Sequence, residues 1–294
     1  MINKAKLFAV AALASAFALN AAAENSLVEM VRIPGGTFLM GSPPDEIGRW
    51  GNEGPQRQVT ISPFYMGRFP VTQEQWTAVM GGNPSFFSWG PAPGEVQGRR
   101  PVESVSWYAV LVFANRLSIM EGFSPAYSIG GSTNPDDWGP LPSSRDAAWD
   151  AVEIVAGSTG FRLPTEAQWE HAARAGTATA FSNGAEDWSD AASIYDIGWF
   201  SFNSGEATRQ AGLLAANPWG LYDMHGNVFE WVWDWFGGYP AEAQTNPAVS
   251  FSGTFRVIRG GNWSHSAQFA RSAYRSANNP AAGGSFLGFR LARP

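Results

Sequence analysis

The sequence predicts an α+β fold made of short strands, two or three helices and much ordered loop. Three observations carry that expectation. Tryptophan and glycine are both abundant, 14 and 33 in 294 residues, as expected where irregular backbone freed by glycine packs against large flat rings. Two capping-box signatures, Thr72 to Gln75 and Thr165 to Gln168, each open a helix of modest length. Strict alternation from Glu230 to Trp235 reads as a strand at period two.

In chain order, residues 31–42 are apolar on both sides of Gly35-Gly36 and read as two short strands about a turn. Residues 58–65 alternate as one further strand. Thr72 caps a helix that runs to about Met80 and stops at Gly81-Gly82. Residues 83–100 are rich in Pro and Gly and read as loop. Ser106 caps a second helix, to about Glu121, ended by Gly122. Residues 123–150 are loop with a short strand at Tyr127-Ser128-Ile129. Thr165 opens a third helix, ended at Gly176, and residues 177–218 are again loop. In the run from Glu230, Trp231, Trp233 and Trp235 face one side, Val232 and Asp234 the other. Residues 255–259 and 289–291 read as two last strands.

Composition bounds the function. Hydrophobic residues make up 45% and charged residues 15%, a balance that supplies a sizeable core. Cysteine is absent, so disulfides, thiolate metal sites and thiol catalysis are excluded. Residues 1–23 have the form of an export signal. Lys4 and Lys6 precede an apolar stretch too short to span a bilayer comfortably, and small residues end it at Ala21-Ala22-Ala23. The protein is therefore expected at the cell surface or in the periplasm, with residues 24–294 forming one domain. Leu19-Asn20-Ala21 matches the start of a lipobox with Ala22 in the cysteine position. A lipid anchor to the outer membrane is expected if the natural residue there is cysteine. Removing Lys4 and Lys6 takes the net charge from −6 to −8, which argues against nucleic acid as a partner.

Several motifs occur in one order: Ile33-Pro34-Gly35-Gly36-Thr37-Phe38 with Met40-Gly41-Ser42; Pro70-Val71-Thr72-Gln73; Pro101-Val102 with Val105-Ser106-Trp107; Arg162-Leu163-Pro164-Thr165-Glu166-Ala167-Gln168-Trp169-Glu170; Gly220-Leu221-Tyr222-Asp223-Met224; Gly226-Asn227-Val228 with Glu230-Trp231; Arg259-Gly260-Gly261; and Gly288-Phe289-Arg290. Over residues 27–293 the chain resembles the formylglycine-generating enzyme, or sulfatase-modifying factor, family. The resemblance implies a variant of the C-type lectin fold.

Enzymes of that family hold copper with two cysteines after the C-terminal Gly-Gly. The matching places fall at or near His265 and Ala270, and neither supplies a soft thiolate. No enzyme activity and no required cofactor are expected. His171, His225 and His265 show no metal-ligand spacing; His171 is expected on a helix and His225 packed in a loop. The resemblance also implies a structural calcium held by Asn227, the Val228 carbonyl and Glu230. A dry hydrogen-bond cluster is the alternative for the same residues.

The chain resembles more closely one branch of the family, the variable proteins of diversity-generating retroelements, whose C-terminal stretch is rewritten at template adenines. Residues 262–287 are the matching region. Trp263, Ala270-Arg271, Arg275, Pro280 and Leu287-Gly288-Phe289-Arg290 read as fixed anchors. Ser264, His265, Ser266, Phe269, Ser276, Ala277, Asn278, Ala281, Ala282, Gly283, Gly284, Ser285 and Phe286 read as exchangeable contacts, each reachable from adenine-bearing codons. Arg271 and Arg275 are expected to lock the stretch by hydrogen bonds, with Phe269 and Phe286 as apolar contacts. The implied ligand is a macromolecule, a protein on another cell or host. A periplasmic oxidoreductase or maturation factor of the same fold, and an envelope structural protein, are the competing readings.

Overall fold

Strand Phe229–Trp235 is buried along all seven residues, and the architecture follows from that. Its alternation separates two apolar faces rather than core from solvent. Trp231 and Trp233 join one core with helix Trp107–Met120, while Val232 joins a second with helix Glu166–Arg174. Two of the buried indole N–H groups find carbonyls: Trp231 Nε1 donates to Val105 O at 3.0 Å and Trp107 Nε1 to Val232 O at 2.9 Å. A computed structural model describes residues 26–248 and 253–294. The expected export signal, residues 1–23, and the Ala22 position lie outside the described residues.

The central strand pairs antiparallel with Arg256–Arg259 and parallel with Leu287–Phe289. Arg275–Asn278 closes the far side of Arg256–Arg259, completing four strands. Residues 276–278, expected as exchangeable contacts, are thus partly exposed edge strand. The last expected strand, 289–291, divides instead. Leu287–Phe289 serves the four-stranded sheet and Ala292–Arg293 pairs with Phe64–Gly67 in another. Arg290 marks the crossing, because its guanidinium is drawn to Glu230.

The N-terminal expectations are corrected in a similar way. Met30–Ile33 and Gly36–Met40 are two strands, as expected, but they do not pair with each other. The first joins Phe64–Gly67 and the second joins Arg57–Ile61. The single strand expected at 58–65 is interrupted by Ser62-Pro63, since proline lacks the ladder N–H. Its two halves serve those two sheets.

The helices start where the caps place them. Thr72 accepts from Gln75 N and Thr165 from Gln168 N, and each Gln side chain answers its cap's backbone N–H. Ser106 caps Trp107–Met120 through Ala109 N. Asp234, on the central strand, adds a second cap by accepting from Glu166 N at 2.7 Å, a carboxylate at a helix N-terminus. A third, small core gathers Phe181, Ile194, Ile197 and Phe200 beneath Ala267 and Ala270.

Candidate ligand-binding surface

From Asn262 to Arg290 the backbone crosses the surface while the scaffold grips it at intervals. Asn262 Oδ1 accepts from Ser264 N at 2.7 Å, and Trp263 N donates to Asn227 O at 2.9 Å. Arg259, the arginine of Arg-Gly-Gly, donates to the carbonyls of Ser272 and Ala273 at 3.0 and 2.9 Å and also to that of Tyr274. Its guanidinium is neutralised by Glu170, which also pairs with Arg174. Trp107 N donates to Pro280 O at 2.9 Å. Gly261, at φ 73°, allows the approach of Ala270, whose Cβ would lie 2.8 Å from a Cβ at residue 261.

The two locking arginines behave as expected. Arg271 donates to Glu53 through both terminal nitrogens, to Glu46, and to Gly48 O at 2.8 Å. Arg275 forms a two-pronged pair with Glu166, at 2.7 and 2.6 Å, and reaches Gly237 O at 2.7 Å. Both lie in the interior, where paired charges hold their place and an unpaired one is costly.

Between these anchors the side chains turn outward. Ser264, His265, Ser266 and Gly283 are exposed; Phe269, Ser276, Ala277, Asn278, Ala281, Ala282, Gly284, Ser285 and Phe286 are partly exposed. By contrast Ala270, Arg271, Arg275, Pro280 and Leu287 to Arg290 are buried. Several members differ from expectation: Trp263, an expected anchor, is partly exposed, and Ala281, an expected contact, packs against the large core. A Cβ on Gly283 would lie 2.7 Å from the Ser104 carbonyl oxygen, so this position is held glycine by backbone contact rather than free to exchange. Phe286 packs against the large core instead of standing outward as an apolar contact.

His265, Phe269 and Tyr274 form an aromatic centre with ring centroids 5.1 and 5.3 Å apart in sequence, and Trp50 lies 6.3 Å from Phe269. Packing of its ring against Phe229 and Phe269 partly desolvates His265 and lowers its pKa, although the residue is otherwise exposed. Trp50 was not legible as part of this surface; its only signal is a lone tryptophan in a polar loop.

The other histidines are structural. His225 is buried, its pKa pushed down to about 4 by desolvation. Its Nε2 accepts from Ser182 N at 3.3 Å, which leaves Nδ1–H to donate to Ala270 O at 2.7 Å. His171 lies between Phe38 and Trp219, with Nε2 3.0 Å from Pro34 O.

The expected calcium ligands do not fit a cation. Both Glu230 oxygens accept from Arg290, and Oε2 also takes the Trp169 indole N–H at 2.6 Å. Asn227 Oδ1 accepts from Arg209 N at 3.0 Å, and its amide donates to Asp223 Oδ1 at 3.2 Å. The alternative, a hydrogen-bond cluster, is the arrangement present, with the Arg290 guanidinium as the cation.

Comparison with known proteins agrees with the geometry. A chaperone protein, LppX of Paenibacillus barcinonensis, is 35% identical over 74% of this chain and 75% of its own. The formylglycine-generating enzyme of Thermomonospora curvata is 28% identical over 90% of this chain and 92% of its own. Among solved structures, Treponema denticola variable protein 1 superposes with a TM-score of 0.80 at 39% identity, covering 90% of this chain and 95% of that one. The fold is therefore the C-type lectin fold of the formylglycine-generating-enzyme type. The sulfatase-modifying factor enzyme 1-like domain matches residues 16–294, and the chain belongs to that family.

Proposed function

We propose that this protein is an exported, surface-displayed binding protein of the diversity-generating-retroelement kind, with no catalysis of its own. Its exchangeable contacts are Ser264, His265, Ser266, Phe269, Ser276, Ala277, Asn278, Ala281, Ala282, Gly284 and Ser285. One observation carries this reading: along residues 264–290 most of the expected contacts are at least partly exposed, while Arg271, Arg275 and Arg290 are buried in ion pairs. Such a scaffold keeps its conformation when the contacts change, and a pre-ordered surface loses less entropy on binding. The likeness to a treponemal variable protein supports the same reading. The lack of cysteine supports the non-enzymatic one. The ligand is proposed to be a protein on another cell or host, because small side chains leave this surface shallow. A relative named as a chaperone is in keeping with a protein ligand.

The test is sequencing of the gene and its flanks across many cells of one population. The expected result is a nearby repeat of the coding stretch that differs at template adenines, with variation at the exposed codons and none at Arg271, Arg275 or Arg290. An invariant stretch without such a repeat rejects the proposal.

A further inference from the structure

Four strongly exposed aromatic side chains lie outside residues 264–286 yet border them. Phe202, 79% exposed, stacks on Tyr195 at 5.2 Å. The preceding residue, Ser201, donates its N–H to His265 O at 2.9 Å. Phe86, 68% exposed, meets Phe87 edge-on at 5.0 Å, and Phe87 meets Trp263 at 5.1 Å. Trp263 in turn donates to Ser285 O at 2.9 Å. Trp89, 79% exposed, follows on the same loop. Trp50, 48% exposed, stands against Phe269 and Tyr274 on a third loop. Scattered surface aromatics need no explanation, but rings from three loops around one stretch mark an interaction face.

Charge divides this face. Residues 262–290 contain no acid, and their three arginines are buried in ion pairs. The bordering loops carry Asp45, Glu186, Asp187, Asp190 and Glu206. The loop of Asp187 reaches the loop of Trp50 where Trp188 closes over Gly48. The cations on these loops are fewer: Arg49, Arg99 and Arg209, of which Arg209 is taken by Glu95. Beyond Lys6 the chain has no lysine.

We infer that Trp50, Phe86, Trp89 and Phe202 form a constant aromatic rim that supplies affinity for a basic protein surface, while the enclosed variable positions select among such surfaces. The inference rests on the proposed binding function. Exposed ring faces attract Lys and Arg cations, and the acidic loops steer a basic partner toward them. Rigid aromatic anchors retained outside the exchanged positions would let each new variant begin from a working interface.

The test compares two display libraries diversified at the proposed contact positions. One keeps the rim, and the other carries Trp50→Ala, Phe86→Ala, Trp89→Ala and Phe202→Ala. Both are selected against the same purified proteins, half strongly basic and half strongly acidic. The expected result is binders chiefly to the basic set, about tenfold tighter or more from the library with the rim. Equal affinities from the two libraries overturn the rim and leave the variable surface standing. Equal yields on acidic and basic targets overturn the basic partner. If neither library yields binders, the inference falls together with the binding function. Should the fourfold variant display poorly, Phe202→Ala and Trp89→Ala, the most exposed positions, give the same comparison singly.

Discussion

Arg271 sets Nη1 and Nη2 on the two carboxylate oxygens of Glu53, at 2.9 and 2.6 Å, joining residues 218 apart in the chain. Both side chains are fully buried. The pair fastens the loop that carries Trp50 to the stretch that carries His265 and Phe269, so the surface is one unit although two distant segments build it.

Arg271→Met should therefore leave Glu53 buried without its cation and cost about 3–5 kcal/mol of stability. Combining it with Glu53→Gln should restore part of the loss, because the stranded charge is gone. Urea denaturation of the three variants measures this. A loss below about 1 kcal/mol for the single variant would place the pair among weak surface contacts.

Gly283 and Ala282 are neighbours at the surface with different tolerance. Gly283→Ala drives a methyl group into the Ser104 carbonyl and should cost about 1–3 kcal/mol. Ala282→Ser should stay within about 0.5 kcal/mol. Thermal midpoints of both variants decide it, and equal midpoints would make Gly283 an exchangeable position after all.

His171 should make stability depend on pH. Desolvation holds its folded pKa below the ordinary value, against the raising effect of its bond to Pro34 O. The unfolded state then binds the proton more readily. Its contribution is complete above about pH 6.5 and is lost as pH falls through that value toward the folded pKa. The stability difference between the natural protein and His171→Phe should shift against the natural protein on acidification from pH 7.5 to 5. A difference that is flat with pH would show that folding leaves the His171 pKa unchanged, and one that shifts in favour of the natural protein on acidification would show it raised.

Glu230 and Arg290 test the absence of fit to calcium. Glu230→Gln should strand the Arg290 guanidinium and cost about 3–5 kcal/mol. Calcium addition or chelation should leave the melting temperature of the natural protein unchanged. A rise with calcium would mean that Glu230 can leave Arg290 for the ion.

Helix starts were legible because capping is local. Thr72, Ser106 and Thr165 each carry their partner within a few residues. The positions expected as contacts along residues 264–286 came from family resemblance, and most of them are at least partly exposed. Strand partners were not legible. Nothing local to residues 30–40 says that Met30–Ile33 leaves its neighbour for Phe64–Gly67. Glu230 read equally well as a calcium ligand or as part of a hydrogen-bond cluster, since the choice depends on Arg290, 60 residues away.

By itself the sequence determined the family, the α+β class, the caps and the lack of thiol chemistry. These follow from residue identity and short-range hydrogen bonding. Only the tertiary structure decided which carboxylate each buried arginine meets, that Gly283 is pinned by Ser104, and that Trp50 stands against Phe269 and Tyr274. Those relationships depend on which distant segments pack together. Burial makes each unpaired charge or displaced backbone costly, so long-range packing selects the partner where local pattern leaves several open.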